Sequence, residues 1–178
     1  MNIISSFRLG SKNLCVLFVL SFSLLFACAP ERAQVNLIPQ PVSIKQGKGY
    51  FKVDSLKVVK EGIESYIHCT IDSSLNEIGT EGYLLSVTPE RIELSATTPT
   101  GIYYGKKTIY QLLTSQGIPC LEIKDYPRFQ YRGMHLDVSR HFFSKEEVLK
   151  LLDEMSYYKI NTFHFHLTDN GGWRIQID

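Results

Sequence analysis

The sequence predicts an α/β protein in which a small α+β domain, residues 36–125, precedes a strand–helix–strand unit within residues 126–178. Two patterns predict this order. In the first part, runs that alternate between apolar and polar side chains precede a stretch with helical periodicity. In the second part, a capped amphipathic helix separates two strand-like runs, and a right-handed crossover makes two such strands parallel.

The first part contains three predicted strands and a helix. Alternation predicts strands at residues 83–87 and 91–96, joined by a turn at Thr88–Glu90. A helix is predicted from about residue 100 to 113, and another strand from 118 to 123. The residues expected on the buried side of this helix are Ile102, Ile109, Leu112 and Leu113. Strands with a packing helix form an α+β domain.

The second part contains a predicted strand at residues 132–138, a helix, and a strand at residues 161–168. Ser144 and Glu147 have the spacing of a capping box, which starts a helix that ends near Lys159. The apolar stripe of the helix consists of Val148, Leu151, Leu152 and Met155. One face of the last strand is expected to carry His164, His166 and Thr168.

The N-terminus predicts export from the cytoplasm. Residues 1–27 have a basic start and a short apolar run, as signal peptides do. Leu25–Cys28 resembles the lipobox of bacterial lipoproteins, which implies a lipid on Cys28 and a tether over residues 28–35. The chain is therefore expected in the bacterial cell envelope, at the outer membrane, facing the periplasm or the surface, held to the membrane only by its lipid. Simple secretion and an uncleaved anchor are the alternatives.

Composition excludes two classes of protein. The chain has 19 Lys and Arg against 18 Asp and Glu, a net charge of +1, and this near-neutrality excludes nucleic acid as a partner. With 44% hydrophobic residues, it is not a disordered protein. Beyond the leader and Cys28, only Cys69 and Cys120 remain. The sequence leaves open whether these two cysteines pair.

Arg140 is the first candidate binding residue because it lies just past a predicted strand end and before a helix cap. Its guanidinium offers a planar fork of donors that suits vicinal hydroxyls, a carboxylate or a phosphate. The alternative is an ion pair between Arg140 and Asp137.

Asp169 follows the last predicted strand and starts an Asn-Gly-Gly turn. It could accept a hydrogen bond from a polar ligand, orient another residue or cap the next segment. Trp173, after the turn, is expected to pack. His164 and His166 share a strand face, which is compatible with a metal-dependent hydrolase, although two hydrogen-bonded core histidines are the favoured interpretation because a metal needs three or four ligands.

Three blocks resemble family 20 glycoside hydrolases, the β-N-acetylhexosaminidases. Residues 132–143 resemble the first strand of that family's barrel, and residues 155–169 with 172–175 resemble the next helix end and second strand. Gly82–Tyr83, Gly101–Gly105 and Gln111–Leu113 are similar to the domain that precedes the barrel. The departures are Phe165, where Trp is common, and Asn170, where a second Asp is frequent.

This resemblance implies the start of a TIM (β/α)8 barrel and removal of terminal β-linked N-acetylhexosamines from glycans. It implies a retaining mechanism in which the substrate's acetamide forms an oxazolinium ion, without metal or cofactor. By resemblance, Arg140 grips hydroxyls of the terminal sugar and Asp169 supports the site. The family's catalytic Asp-Glu pair lies on a later strand; the Asp153-Glu154 dipeptide, inside a helix, does not match it.

The second part is shorter than a whole barrel, which needs roughly 250 residues and eight strand–helix units. The expectation is that the chain is the front of a longer, truncated hexosaminidase sequence, with no catalytic residue of its own and inactive by itself. A non-catalytic lipoprotein that binds carbohydrate through its α+β domain is the alternative.

Overall fold

A five-stranded sheet forms the first part of the computed structural model, which describes residues 35–54, 58 and 62–174. The strand order is β1-β5-β3-β4-β2, with only β2 and β4 parallel among its pairs. The bounds are β1 Ser43–Phe51, β2 Ile67–Ile71, β3 Tyr83–Val87, β4 Ile92–Ala96 and β5 Ile118–Asp125. Short 3-10 helices at Ile63–Tyr66 and Ser73–Ile78 flank β2.

Helix α1, Pro99–Leu112, packs against the sheet. The Thr98 side chain accepts a hydrogen bond from the Gly101 N–H and caps the helix. Gly105 allows close packing, because a Cβ there would lie 2.3 Å from a methyl carbon of Leu94. The predicted helix and the strands at 83–87 and 92–96 are present, and the odd positions of β3 and the even positions of β4 are buried.

One detail of the predicted helix packing was wrong. Leu113 lies one residue past the end of α1 and is exposed, whereas Tyr104 is buried. The chain turns to extended backbone at Leu113, which removes that side chain from the helical face. β1 and β2 were not predicted at all.

The second part contains β6 Gly133–Asp137, α2 Lys145–Tyr157 and β7 Thr162–His166. β6 and β7 pair in parallel, as predicted. The predicted capping box is also confirmed: the Glu147 N–H donates to Ser144 Oγ at 3.2 Å, and the Ser144 N–H donates to Glu147 Oε2 at 2.7 Å. Met155 of the apolar stripe is buried, whereas Leu152 is exposed.

The last predicted strand, residues 161–168, was too long. β7 ends at His166, and Thr168 belongs to a separate hairpin, β8 Thr168–Asp169 with β9 Gly172–Trp173. Backbone pairing of Thr168 with Trp173 across the Asn-Gly-Gly turn draws the chain away from β6.

A buried ion pair joins the two parts. Lys159 Nζ lies 2.9 Å from Asp125 Oδ2 and donates to the Tyr83 hydroxyl at 2.9 Å. That hydroxyl donates to the same carboxylate oxygen and lies 2.6 Å from the Thr108 hydroxyl. Burial lowers the pKa of Lys159, an effect that the Asp125 charge opposes.

Lys159 follows α2 in a left-handed conformation, with φ of 61°. Its N–H donates to the Ser156 carbonyl at 3.1 Å, and the Ile160 N–H donates to the Met155 carbonyl at 2.8 Å. These two bonds define a Schellman motif, in which the left-handed residue is usually glycine. A lysine there bears backbone strain, and its side chain reaches the sheet.

The described residues lie in one compact unit that covers residues 33–178. The predicted signal peptide, residues 1–27, and Cys28 lie outside the described residues. No helix in the described part is long and apolar enough to cross a membrane. Cys69 is exposed, Cys120 is buried, and both are free thiols. The predicted boundary between 36–125 and 126–178 stays a prediction.

Substituting Lys159 with methionine should destabilise the protein by about 3–5 kcal/mol, because it leaves the Asp125 carboxylate buried without its cation. Methionine keeps most of the apolar stem. Urea unfolding measures the change. The control is Lys124→Met, since Lys124 forms an exposed pair with Glu77 and its loss should change the stability much less. Equal effects of the two substitutions would contradict a structural role for the buried pair.

Candidate functional site

Polar side chains gather where the parallel strands β6 and β7 end. Asp137 is the last residue of β6 and Arg140 follows three residues later. His166 is the last residue of β7 and Asp169 follows three residues later. Because Asp137 pairs in register with His166, these two turns lie side by side. Ligands of α/β proteins bind at such carboxyl ends.

Asp137 shapes the turn after β6 with one oxygen and holds Arg140 with the other. Its Oδ1 accepts hydrogen bonds from the Ser139 N–H at 3.0 Å and the Arg140 N–H at 3.1 Å. Its Oδ2 lies 2.5 Å from Arg140 Nε. The Arg140 N–H and guanidinium and the Ser139 N–H lower the pKa of this carboxyl against the opposing effect of burial, so Asp137 is ionised at neutral pH.

Asp169 approaches the same guanidinium from the second turn. Its Oδ2 lies 3.3 Å from Arg140 Nη2, and its Oδ1 accepts a hydrogen bond from the Asn170 N–H at 2.7 Å. The Asn170 N–H, followed by the Arg140 charge, lowers the pKa of the Asp169 carboxyl. The Arg140 side chain is nevertheless 66% exposed, so donors of its fork reach solvent.

Hydrogen bonds join the turn after β6 to the turn after β7, next to Arg140. The buried Ser139 hydroxyl donates to the Gly172 carbonyl at 2.9 Å. Arg174 donates from Nε to the Val138 carbonyl at 3.0 Å and from Nη2 to the Ser139 carbonyl at 3.1 Å. Gly172 is required at this contact, because a Cβ there would lie 2.9 Å from the Ser139 carbonyl oxygen.

Three histidines share the strand face that leads to the site. The ring centroids of His135 and His164 are 4.6 Å apart, and those of His135 and His166 are 5.9 Å apart. His166 Nε2 lies 3.4 Å from Asp169 Oδ2 without hydrogen-bond geometry. Over residues 35–54, 58 and 62–174, no group of three His, Cys, Asp or Glu side chains is arranged to hold a metal ion. The expectation of two hydrogen-bonded core histidines was wrong, because His164 is exposed and the buried His166 Nε2 makes no hydrogen bond within the described residues.

The structure brings together the two predicted binding residues, Arg140 and Asp169. It also contains the ion pair between Arg140 and Asp137 that was the alternative role for Arg140. Ligand contact by Arg140 and Asp169 stays a prediction, and Cys28 lies outside the described part of the chain. Trp173 was expected to pack but is 58% exposed, because it lies in the two-residue strand β9 of a separate hairpin and not in the β6–β7 pair.

Sequence reasoning missed three contributors: His135, Ser139 and Arg174. The alternation of β6 could have found His135, which shares the parity of Asp137. No local pattern marks Ser139 or Arg174, since their partners lie more than 30 residues away along the chain.

The outer face of the five-stranded sheet is a second candidate surface. It forms a shallow depression of about 500 Å³ lined by polar side chains. Its charged side chains form ion pairs on the face or at its border: Lys45 lies 3.6 Å from Glu122, Glu93 lies 3.4 Å from Arg91, and Lys124 pairs with Glu77. This is the pattern of a solvated sheet face, and it gives no specific support to carbohydrate binding by the first part.

Comparison with known families matches both parts of the chain. Residues 56–126 match the model described as glycosyl hydrolase family 20, domain 2, and residues 129–178 match glycosyl hydrolase family 20, catalytic domain. The chain belongs to glycosyl hydrolase family 20. The predicted family and the α/β class with an N-terminal domain are thereby confirmed.

Relatives in family 20 agree with this membership. The chain is 32% identical to a beta-hexosaminidase of Porphyromonas gingivalis, an alignment that covers 92% of this chain and 27% of the relative.

Solved family 20 structures also match. An exo beta-N-acetylglucosaminidase from Vibrio harveyi matches with a TM-score of 0.69 and 29% identity over 84% of this chain and 29% of that one. A beta-N-acetylhexosaminidase from Bacteroides fragilis matches with a TM-score of 0.68 and 31% identity over 78% of this chain and 34% of that one. This chain thus spans about a third or less of each relative.

Proposed function

We propose that the chain is the N-terminal portion of an exo-acting β-N-acetylhexosaminidase that removes terminal β-linked N-acetylglucosamine or N-acetylgalactosamine from glycans. Arg140 binds hydroxyls of the terminal sugar, and Asp169 supports it. The observation that carries this proposal is the placement of an exposed guanidinium between two carboxylates at the ends of two parallel strands. The names of the relatives agree with the substrate class.

The charges around Arg140 select among the ligands that its fork could bind. Asp137 and Asp169 are both ionised at neutral pH, because their pKa values are lowered first by backbone N–H donors. Together with the Arg140 guanidinium, the two carboxylates carry a net charge of −1, and the nearby Arg174 guanidinium brings the total to zero. A carboxylate or phosphate ligand must approach the two carboxylates that already hold Arg140, whereas a neutral vicinal diol accepts from Arg140 and donates to the carboxylates without that repulsion. The cluster therefore favours a neutral sugar.

In this proposal β6, α2 and β7 are the first strand–helix–strand of a (β/α)8 barrel. The acetamido carbonyl of the substrate attacks the anomeric carbon and forms an oxazolinium ion, so the overall reaction retains configuration. An Asp orients the acetamide and the neighbouring Glu protonates the leaving oxygen; by family resemblance both lie on a later strand. Asp137 and Asp169 are already engaged with Arg140 and do not take these roles.

Replacing Arg140 in the longer enzyme that carries this segment tests the binding role. Arg140→Ala should lower kcat/KM for a chromogenic N-acetylglucosaminide because a charged hydrogen-bond donor is lost. The fall should correspond to about 2–4 kcal/mol of transition-state stabilisation. Arg140→Lys should also lower kcat/KM, because the single ammonium group of lysine does not reproduce the planar set of donors of a guanidinium. Near-normal kcat/KM in both variants would exclude the role, and a collapse of the melting temperature would favour a structural ion pair.

A polypeptide of residues 29–178 alone should not hydrolyse the same substrate. General acid catalysis contributes about 10²–10⁴-fold, and the proposal places that acid on another strand. The Asp that orients the acetamide is also proposed to lie on another strand, and its absence should lower the rate further. The assay compares this polypeptide with a full-length family 20 relative. Turnover within about tenfold of the relative would show that the catalytic carboxylates lie within these residues.

We propose further that Cys28 is acylated and anchors the protein in the cell envelope. A short apolar run meets Ala27-Cys28, and a polar tether follows. Cys28→Ser should release the protein from membranes or leave it as an unprocessed precursor, and labelled fatty acid should enter only the wild type. The matched control is Cys69→Ser, which should still fractionate with membranes. A Cys28→Ser protein that fractionates and migrates like wild type, with no label in either, would contradict the anchor.

A further inference from the structure

We propose that Asp137 is a positioning residue that aims the Arg140 guanidinium at the sugar hydroxyls. The inference rests on the proposed function and adds a residue to it. It is carried by the way the two carboxylate oxygens of Asp137 divide their contacts between the turn and the guanidinium.

Arg140 needs an external constraint to present its fork in one orientation. Its side chain is 66% exposed, so packing does not fix its rotamer. A long side chain with many rotamers loses conformational entropy when a ligand orders it. Ion pairs that hold the guanidinium beforehand remove part of that loss from binding.

Asp137 supplies this constraint more firmly than Asp169. Its oxygen lies 2.5 Å from Arg140 Nε, compared with 3.3 Å between Asp169 and Nη2. Nε is the nitrogen nearest the aliphatic stem, so a contact there sets the plane of the fork. Asp137 also ends β6 and is held by two backbone N–H groups, whereas Asp169 lies in the two-residue strand of a hairpin.

The division of the two oxygens permits a selective substitution. Replacing Asp137 with asparagine retains a carbonyl oxygen for the Ser139 and Arg140 N–H groups, so the turn keeps its hydrogen bonds. The amide nitrogen of the new side chain takes the place of the oxygen that faces Nε, and a donor cannot pair with a donor. Asp137→Asn therefore removes the hold on Arg140 while preserving the turn.

The experiment is a double-mutant cycle in the longer enzyme, assayed with a chromogenic N-acetylglucosaminide. Asp137→Asn should lower kcat/KM about 10–100-fold, mainly through a higher KM, with little change in melting temperature. In an Arg140→Ala background the same substitution should change kcat/KM by less than about twofold, because Asp137 acts through Arg140. Measurable wild-type turnover tests the proposed function independently of the cycle.

The matched control is Asp72→Asn in the first part of the chain. Asp72 Oδ1 also accepts a backbone N–H, from Ser74 at 2.9 Å, with no ion pair in the described part of the chain. This variant should leave kcat/KM unchanged and shows what neutralising a turn carboxylate does to the melting temperature.

Two results would overturn the proposal: wild-type kcat/KM in Asp137→Asn, or an equal loss in the presence and absence of Arg140. Where Asp137→Asn does not fold, Asp137→Glu serves the same cycle. It keeps the charge but moves the carboxylate one methylene further from β6, so kcat/KM should fall only when Arg140 is present. An Arg140-independent loss in Asp137→Glu would equally refute positioning.

Discussion

The buried contact between Lys159 and Asp125 fixes how the two parts of the structure meet. Lysine at the left-handed position after α2 costs about 1–2 kcal/mol of backbone strain that glycine would avoid. Only a lysine there can place an ammonium 2.9 Å from Asp125, within the sheet that the first part builds. Asp125 Oδ1 also accepts a hydrogen bond from the Val42 N–H at 3.3 Å, so the same carboxylate holds the segment that leads into β1. This contact therefore fixes the position of the start of β7, and with it the site, relative to the five-stranded sheet.

Local sequence patterns predicted those elements that depend on the spacing of neighbouring residues. The alternation of β3 and β4, the cap at Ser144 and the parallel unit all follow from spacing along a few residues. β1 and β2 were missed because they are edge strands with largely exposed side chains, and their pairing with β5 and β4 is set by residues distant in sequence. For the same reason the sequence could suggest the Arg140–Asp137 pair, three residues apart, but not the contact of Lys159 with Tyr83, which are 76 residues apart.

The site combines an ion pair within one turn with hydrogen bonds between residues that are distant in the sequence. Asp137 and Arg140 form their contact within one turn, and any chain with that spacing could form it. What makes the turn a defined platform is the bonding of Ser139 to Gly172 and of Arg174 to the backbone beside Arg140. These bonds join the turns after β6 and β7, so Arg140 meets carboxylates from both. Ion pairs between exposed groups are individually weak, but here the hydrogen bonds between the two turns reduce the entropy lost in forming them.

The two carboxylates beside Arg140 also bear on the proposed reaction. As the glycosidic bond breaks, positive charge develops at the anomeric carbon and passes to the oxazolinium ring. The Arg140 guanidinium lies between the Asp137 and Asp169 carboxylates, so its positive charge is offset where the sugar is proposed to bind. The carboxylates that compete with an anionic ligand for Arg140 therefore also keep its positive charge from opposing the transition state. In the proposed enzyme, hydroxyl recognition at β6 and β7 and proton transfer on a later strand are separate in the chain. The two steps are electrostatically consistent, because recognition does not place the Arg140 charge unopposed beside a developing cation.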